Sequence, residues 1–165
     1  MKTRHGFVSN SSSSSFLVLF KNVPGTVADM QKMLFGDKPY LESPYKFEGD
    51  VKYPALDVAT DVFNDMSRQK PMTEREIIET IGSGWFDGYP DLDDFKLPDP
   101  AGYDWTSHSR AGEIAAQKTW DKFVAAHGEG TIYKFHYSDN DGCYGSTMEH
   151  GDLFVNLPHI RISHH

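Results

Sequence analysis

The sequence predicts an α+β fold, a small and mostly antiparallel sheet packed against several helices. Three observations predict it. A short, continuously apolar run, Phe16 to Phe20, opens the ordered part of the chain. Stretches with apolar residues at helical spacing then fill the middle. Two alternating segments, Thr131 to Ser138 and His159 to Ser163, close it. A strand first, helices next and strands last is not the regular alternation of a doubly wound parallel sheet.

Each element follows from its pattern. "FLVLFK", Phe16 to Lys21, is apolar at every position up to Phe20, as in a strand buried on both faces. Asn22 to Gly25 is a turn. Thr26 can cap a short helix that places Val27, Met30, Met33 and Leu34 on one face and stops at Gly36. Pro39, Pro44 and Pro54 make 37–54 an ordered loop with one short strand at Tyr45 to Phe47. Ala55 to Arg68 reads as a helix with Val58, Val62, Phe63 and Met66 inward. Thr73 and Glu76 have capping-box spacing, which starts another helix from about Glu74 to Ile81. Gly82 to Trp105 is rich in Gly, Pro and Asp, yet carries Trp85, Phe86, Tyr89, Phe95 and Tyr103. An aromatic loop of that length is expected to wrap over the domain. Trp105 to His127 is the longest helical pattern. "TIYKFHYS" alternates as a strand, "DNDG" is a hairpin turn, and Cys143 to Met148 is its expected return strand. "HIRIS" is the last strand.

The 165 residues fit one domain large enough to form a core without disulfides or metals. The expected organisation is a flexible Ser-rich segment, 1–15, then a single domain, 16–165, with the long ordered loop at 82–105. The net charge of -8 argues against nucleic-acid binding, which needs clustered Lys and Arg. Cys143 is the sole cysteine. No intramolecular disulfide is then possible, as expected in the cytoplasm. No stretch has the apolar length of a membrane span or signal peptide, so no membrane association is expected.

The opening "MKTRHGFVSNSSSSSF" resembles the start of a group of uncharacterised bacteriophage and bacterial proteins, which begin with a basic segment and then GFVSNSSSSSF. The resemblance covers Met1 to Phe16 and implies a phage or mobile-element setting, hence a host-cell cytoplasm. It carries no activity with it. The run Ser11 to Ser15 reads by composition as a solvated linker, since serine buries little area and its hydroxyl competes for backbone hydrogen bonds. Met1 to about Ser13 is then expected to be removable at little cost.

Six of the eight histidines fall in the last 39 residues. Alternation sorts those on strands. Tyr133, Phe135 and Tyr137 face one way, and Lys134, His136 and Ser138 the other. Ile160 and Ile162 face one way, and His159, Arg161 and Ser163 the other. If the two strands are neighbours, Lys134, His136, His159 and Arg161 form a cationic patch for a phosphate or carboxylate. His136, Glu149, His150 and His159, with Asp139 nearby, are the candidate acid–base groups. The histidine and carboxylate spacings match no metal signature, so neither metal nor cofactor is expected. "DNDG" lacks the twelfth-position glutamate of a calcium loop, which His150 occupies.

Two functions fit. The first is a protein-binding accessory protein acting on a host or viral protein through its aromatic, acidic loop. The alternative is a small hydrolase or a domain binding a phosphorylated small molecule on the C-terminal strands. Whether the chain is an enzyme is left open by its sequence.

Overall fold

The structure, a computed structural model, describes residues 12–45, 51–83 and 105–164. The fold is α+β. Five strands and five helices occur among the described residues, in the order β1 (Ser13–Phe20), α1 (Val27–Phe35), β2 (Tyr40–Glu42), β3 (Lys52–Pro54), α2 (Ala55–Ser67), α3 (Glu74–Ser83), α4 (Trp105–His127), β4 (Thr131–Ser138), α5 (Gly142–His150) and β5 (His159–His164).

The first strand is the centre of the molecule. β1 lies between β4 and β5 and is antiparallel to both. Its sequence accounts for the position. Phe16, Val18 and Phe20 face one side, Leu17 and Leu19 the other, and all five are buried. A strand apolar on both faces needs a layer against each. The first layer contains Met30, Leu34 and Phe35 of α1, Val58, Val62 and Met66 of α2, and Met148 of α5, with Leu153 and Phe154 beyond it. The second contains Ile77 and Ile81 of α3 and Ala116 and Phe123 of α4, against Leu17, Leu19, Ile132, Ile160 and Ile162. Burial of each such large side chain is worth roughly 1.5–3 kcal/mol, which fixes which face of each strand looks inward.

The caps follow the residues predicted to make them. Thr26 Oγ1 accepts from Asp29 N–H at 3.1 Å while Asp29 Oδ2 accepts from Thr26 N–H at 3.1 Å. Thr73 and Glu76 form the corresponding reciprocal pair at the start of α3. Gly36 ends α1 with φ +58°, a conformation that disfavours a side chain.

Four expectations need correction. β1 starts at Ser13, and Ser14 and Ser15 are buried, so the serines are not wholly a linker and the boundary at 15/16 falls inside a strand. Cys143 to Met148 is helix α5, not a return strand. A short 3-10 turn, Asp139–Asp141, runs straight into it, and Tyr144 and Met148 are spaced for one helical face rather than for alternation. Of the strand expected at Tyr45 to Phe47, Tyr45 lies outside any strand and the rest falls outside the described residues; β2 pairs with β3 nearby, which buries Leu41. β4 and β5 are not adjacent, because β1 separates them. The wrapped-loop expectation for 82–105 falls largely outside the described residues, as does residue 1–11 of the N-terminal segment.

The entry to α5 is tight. A Cβ on Gly145 would collide with the Ser138 carbonyl oxygen and lie 2.5 Å from Asp141 Cβ. Gly145→Ala is therefore expected to destabilise the fold by about 2–3 kcal/mol, since backbone cannot yield as a flexible side chain does. A urea titration gives the value, and a loss under about 0.5 kcal/mol would show that the turn relaxes freely.

Candidate functional site

Alternation along β1 sends Ser14 to the Phe16 face and Ser15 to the Leu17 face. On the first face, Ser14 is paired across the strands with Tyr137 and Ser163, and Phe16 with Phe135 and Arg161. The end of α5 packs over this corner. The result is a polar cluster around Glu149, whose side chain is fully buried.

Both carboxylate oxygens of Glu149 have partners. Ser14 Oγ–H donates to Oε1 at 3.1 Å, and Ser12 Oγ lies 3.1 Å from Oε2. Arg161 closes the other side of Ser14. Its Nε and Nη2 donate to Ser14 Oγ at 3.2 and 3.1 Å. A serine hydroxyl thus bridges a guanidinium and a buried carboxylate. Ser12 is held further by Asp139, whose Oδ2 accepts from Ser12 N–H at 3.0 Å and lies 3.2 Å from Ser12 Oγ. The other oxygen of Asp139, Oδ1, is buried with no partner among the described residues.

His150 joins the two ends. Its Nδ1 is 3.2 Å from Arg161 Nη2, and its Nε2 is 3.1 Å from Ser12 Oγ and 3.4 Å from Glu149 Oε2. A guanidinium only donates, so Nδ1 is the acceptor and the ring hydrogen sits on Nε2. That tautomer decides the chemistry. A serine nucleophile needs a histidine nitrogen that accepts its proton, whereas here Nε2–H donates toward Ser12. Ser12 and His150 have the proximity of a nucleophile and base with the opposite polarity.

The predicted site residues divide between the two faces. Register pairs His136 with Ser15 and Lys134 with Leu17, on the second face. It pairs His159 with Val18 and Arg161 with Phe16, on the first. The four-residue cationic patch is thus not assembled: β1 intervenes, and the faces are opposite. Ser15 Oγ and His136 Nδ1 are 3.2 Å apart on the second face. Glu149, His150 and Arg161 do come together, with Asp139. His159 stands two residues from Arg161 on the same face, its ring 6.1 Å from Phe16 and from Phe154. The Arg161 guanidinium lies 5.7 Å from the same Phe16 ring. His159 Nδ1 is 2.9 Å from the Leu157 carbonyl, to which it must donate, and this leaves Nε2 for other partners.

Ser12 and Ser14 are the residues that the sequence reading missed. The signal was present. No turn residue separates the serines from Phe16, and the alternation of Phe16 and Val18 carried backward puts Ser14 on their face.

Among the described residues, no three His, Cys, Asp or Glu side chains are placed to hold a metal ion. Among them also, no helix is long and apolar enough to cross a membrane. No family model, no curated protein and no solved structure matches the chain.

Proposed function

We propose that the chain is a non-catalytic binding protein that takes an anionic group, a carboxylate or a phosphate, on Arg161 with help from His159. The observation that carries this reading is the Ser14 bridge. Nε and Nη2 of Arg161 are fixed by Ser14 and His150, while Nη1 has no hydrogen-bond partner among the described residues and the side chain is exposed. A long side chain ordered in advance loses little entropy on binding, and a guanidinium matches both anions in geometry. His159 adds a donor from Nε2 when protonated. The polarity of His150 speaks against the hydrolase alternative. The phage setting implied by the N-terminal resemblance puts the anion on a host or viral protein, as an acidic or phosphorylated side chain.

Thermal melts with inorganic phosphate and with acetate test the reading. Phosphate should raise the Tm of the unaltered protein; a hundredfold excess over Kd is worth about 2.7 kcal/mol. Arg161→Ala should abolish the rise relative to its own ligand-free melt. A glutamate-rich peptide that stabilises where free phosphate and acetate do not would identify a protein source for the anion. No rise with phosphate, acetate or acidic peptide would refute the proposal.

A further inference from the structure

A single bond sets the phase of the β1–β5 ladder. Leu19 N–H donates to the Pro158 carbonyl at 2.9 Å. In an antiparallel pair, opposed residues that exchange hydrogen bonds alternate with opposed residues that do not. The bonds are therefore carried by Leu17 with Ile160 and by Ser15 with Ile162. The backbone N–H and C=O groups of His159, Arg161 and Ser163 then point away from β1, to the outer edge of the sheet. Among the described residues, β1 is the sole strand neighbour of β5, and no backbone bond reaches that edge. The other edge differs. The same alternation turns the Ile132 carbonyl of β4 outward, and Met72 N–H donates to it at 2.9 Å.

Burial limits the open length of β5. Ser163 is 5% exposed, whereas His159 is half-buried and Arg161 is exposed. Two N–H and two C=O groups are thus offered, next to a guanidinium that Ser14 and His150 hold in place. The side chains of His159 and Arg161 share the Phe16 face, so the edge is polar in its backbone and cationic in its side chains.

We infer that an extended acidic segment of a partner protein adds to this edge as a fourth strand, antiparallel to β5, with an Asp or Glu opposite Arg161. The inference rests on the Arg161 reading above and adds to it the backbone of the partner. An unpaired sheet edge is a template for another chain. In the pair so formed, the residue opposite Arg161 turns its own N–H and C=O toward β5. Its side chain stands on the same face as Arg161, with Cβ atoms roughly 4.5–5.5 Å apart. An acidic residue there meets Nη1, and a second one two positions along stands opposite His159. A second copy of this chain is the poorer occupant. Pairing β5 with β5 in this phase sets Arg161 opposite Arg161 or His159, and like charges directly opposite destabilise a strand pair. The net charge of -8 opposes the approach of an acidic segment. That field is screened beyond about 10 Å at 0.1 M salt, so the local cations decide.

The probe is a nine-residue peptide of alternating Thr and Glu, titrated calorimetrically into the full chain. Gln in place of every Glu should weaken binding about tenfold or more. N-methylation of the Glu amides should abolish binding, because those N–H groups face β5. N-methylation of the Thr amides, which face away, should change it less than about threefold. NMR-detected amide exchange gives a second readout. The peptide should slow the Arg161 amide about tenfold and leave Ile160, already bonded to Leu17, unchanged. Equal loss from the two methylated peptides, or the reverse pattern, would overturn antiparallel addition. So would a peptide that fails to bind while phosphate raises the Tm, and the Arg161 site would then stand without the strand. If phosphate, acetate and peptide all fail, the Arg161 reading falls and the added strand with it.

Discussion

Glu149→Ala is expected to cost about 3–5 kcal/mol, the largest loss for any single side chain here. Removing one member of a buried charged network leaves the others uncompensated. In this case Ser14 loses its acceptor and Arg161 loses the carboxylate behind its serine bridge. Ser12 keeps Asp139 and His150. Glu149→Gln should cost less, because the amide oxygen still accepts from Ser14 while the charge that balances Arg161 is gone. Urea unfolding followed by circular dichroism measures both. If the alanine variant lost less than about 1 kcal/mol, Glu149 would have to be solvated rather than part of the core network.

Deletion of the chain through Ser15 should abolish cooperative folding. The cut removes three residues of the central strand, each paired with both β4 and β5. It also removes every Ser12 and Ser14 contact to Glu149 and to Arg161. Stranded buried donors and acceptors cost about 1–3 kcal/mol each, against a total stability of about 5–15 kcal/mol for an ordinary domain. A thermal melt decides it. A truncated chain that melts sharply near the temperature of the full one would return the serines to the role of a linker.

That reversal shows why part of the molecule was legible and part was not. The helices were readable because apolar residues at three- and four-residue spacing have one physical use. The ridge of Val58, Val62 and Met66 had to meet a core, and it does. β1 was readable as doubly buried for the same reason. The serines were misread because composition was weighed without position. A serine is solvated in a linker, but in a strand it follows the pleat, and Ser14 is carried inward beside Phe16. Helix α5 was misread because a turn-forming DNDG suggested a hairpin, whereas Tyr144 and Met148 were already spaced for a helix.

The site shows the same division. Alternation within β4 and within β5 identified which side chains share a face on each strand. It could not identify how the two strands relate, because that depends on what lies between them. With β1 inserted, His136 and Arg161 fall on opposite faces, while Glu149 and His150, which follow a turn, arrive over Ser14 from a helix.

By itself, the sequence determined the fold class, helices α1 to α4, the inward faces of β1, β4 and β5 and the doubly buried character of Phe16 to Phe20. These depend on local periodicity and on the free energy of burying apolar area, which a neighbouring residue's identity already sets. Only the tertiary structure decided the order β4–β1–β5, and with it the meeting of Ser12, Ser14, Glu149, His150 and Arg161. These residues are more than 130 positions apart at the extremes, as in the Ser14 contact with Arg161. Nothing local specifies such a meeting; it follows from a central strand that needs a layer on each face and a partner on each edge.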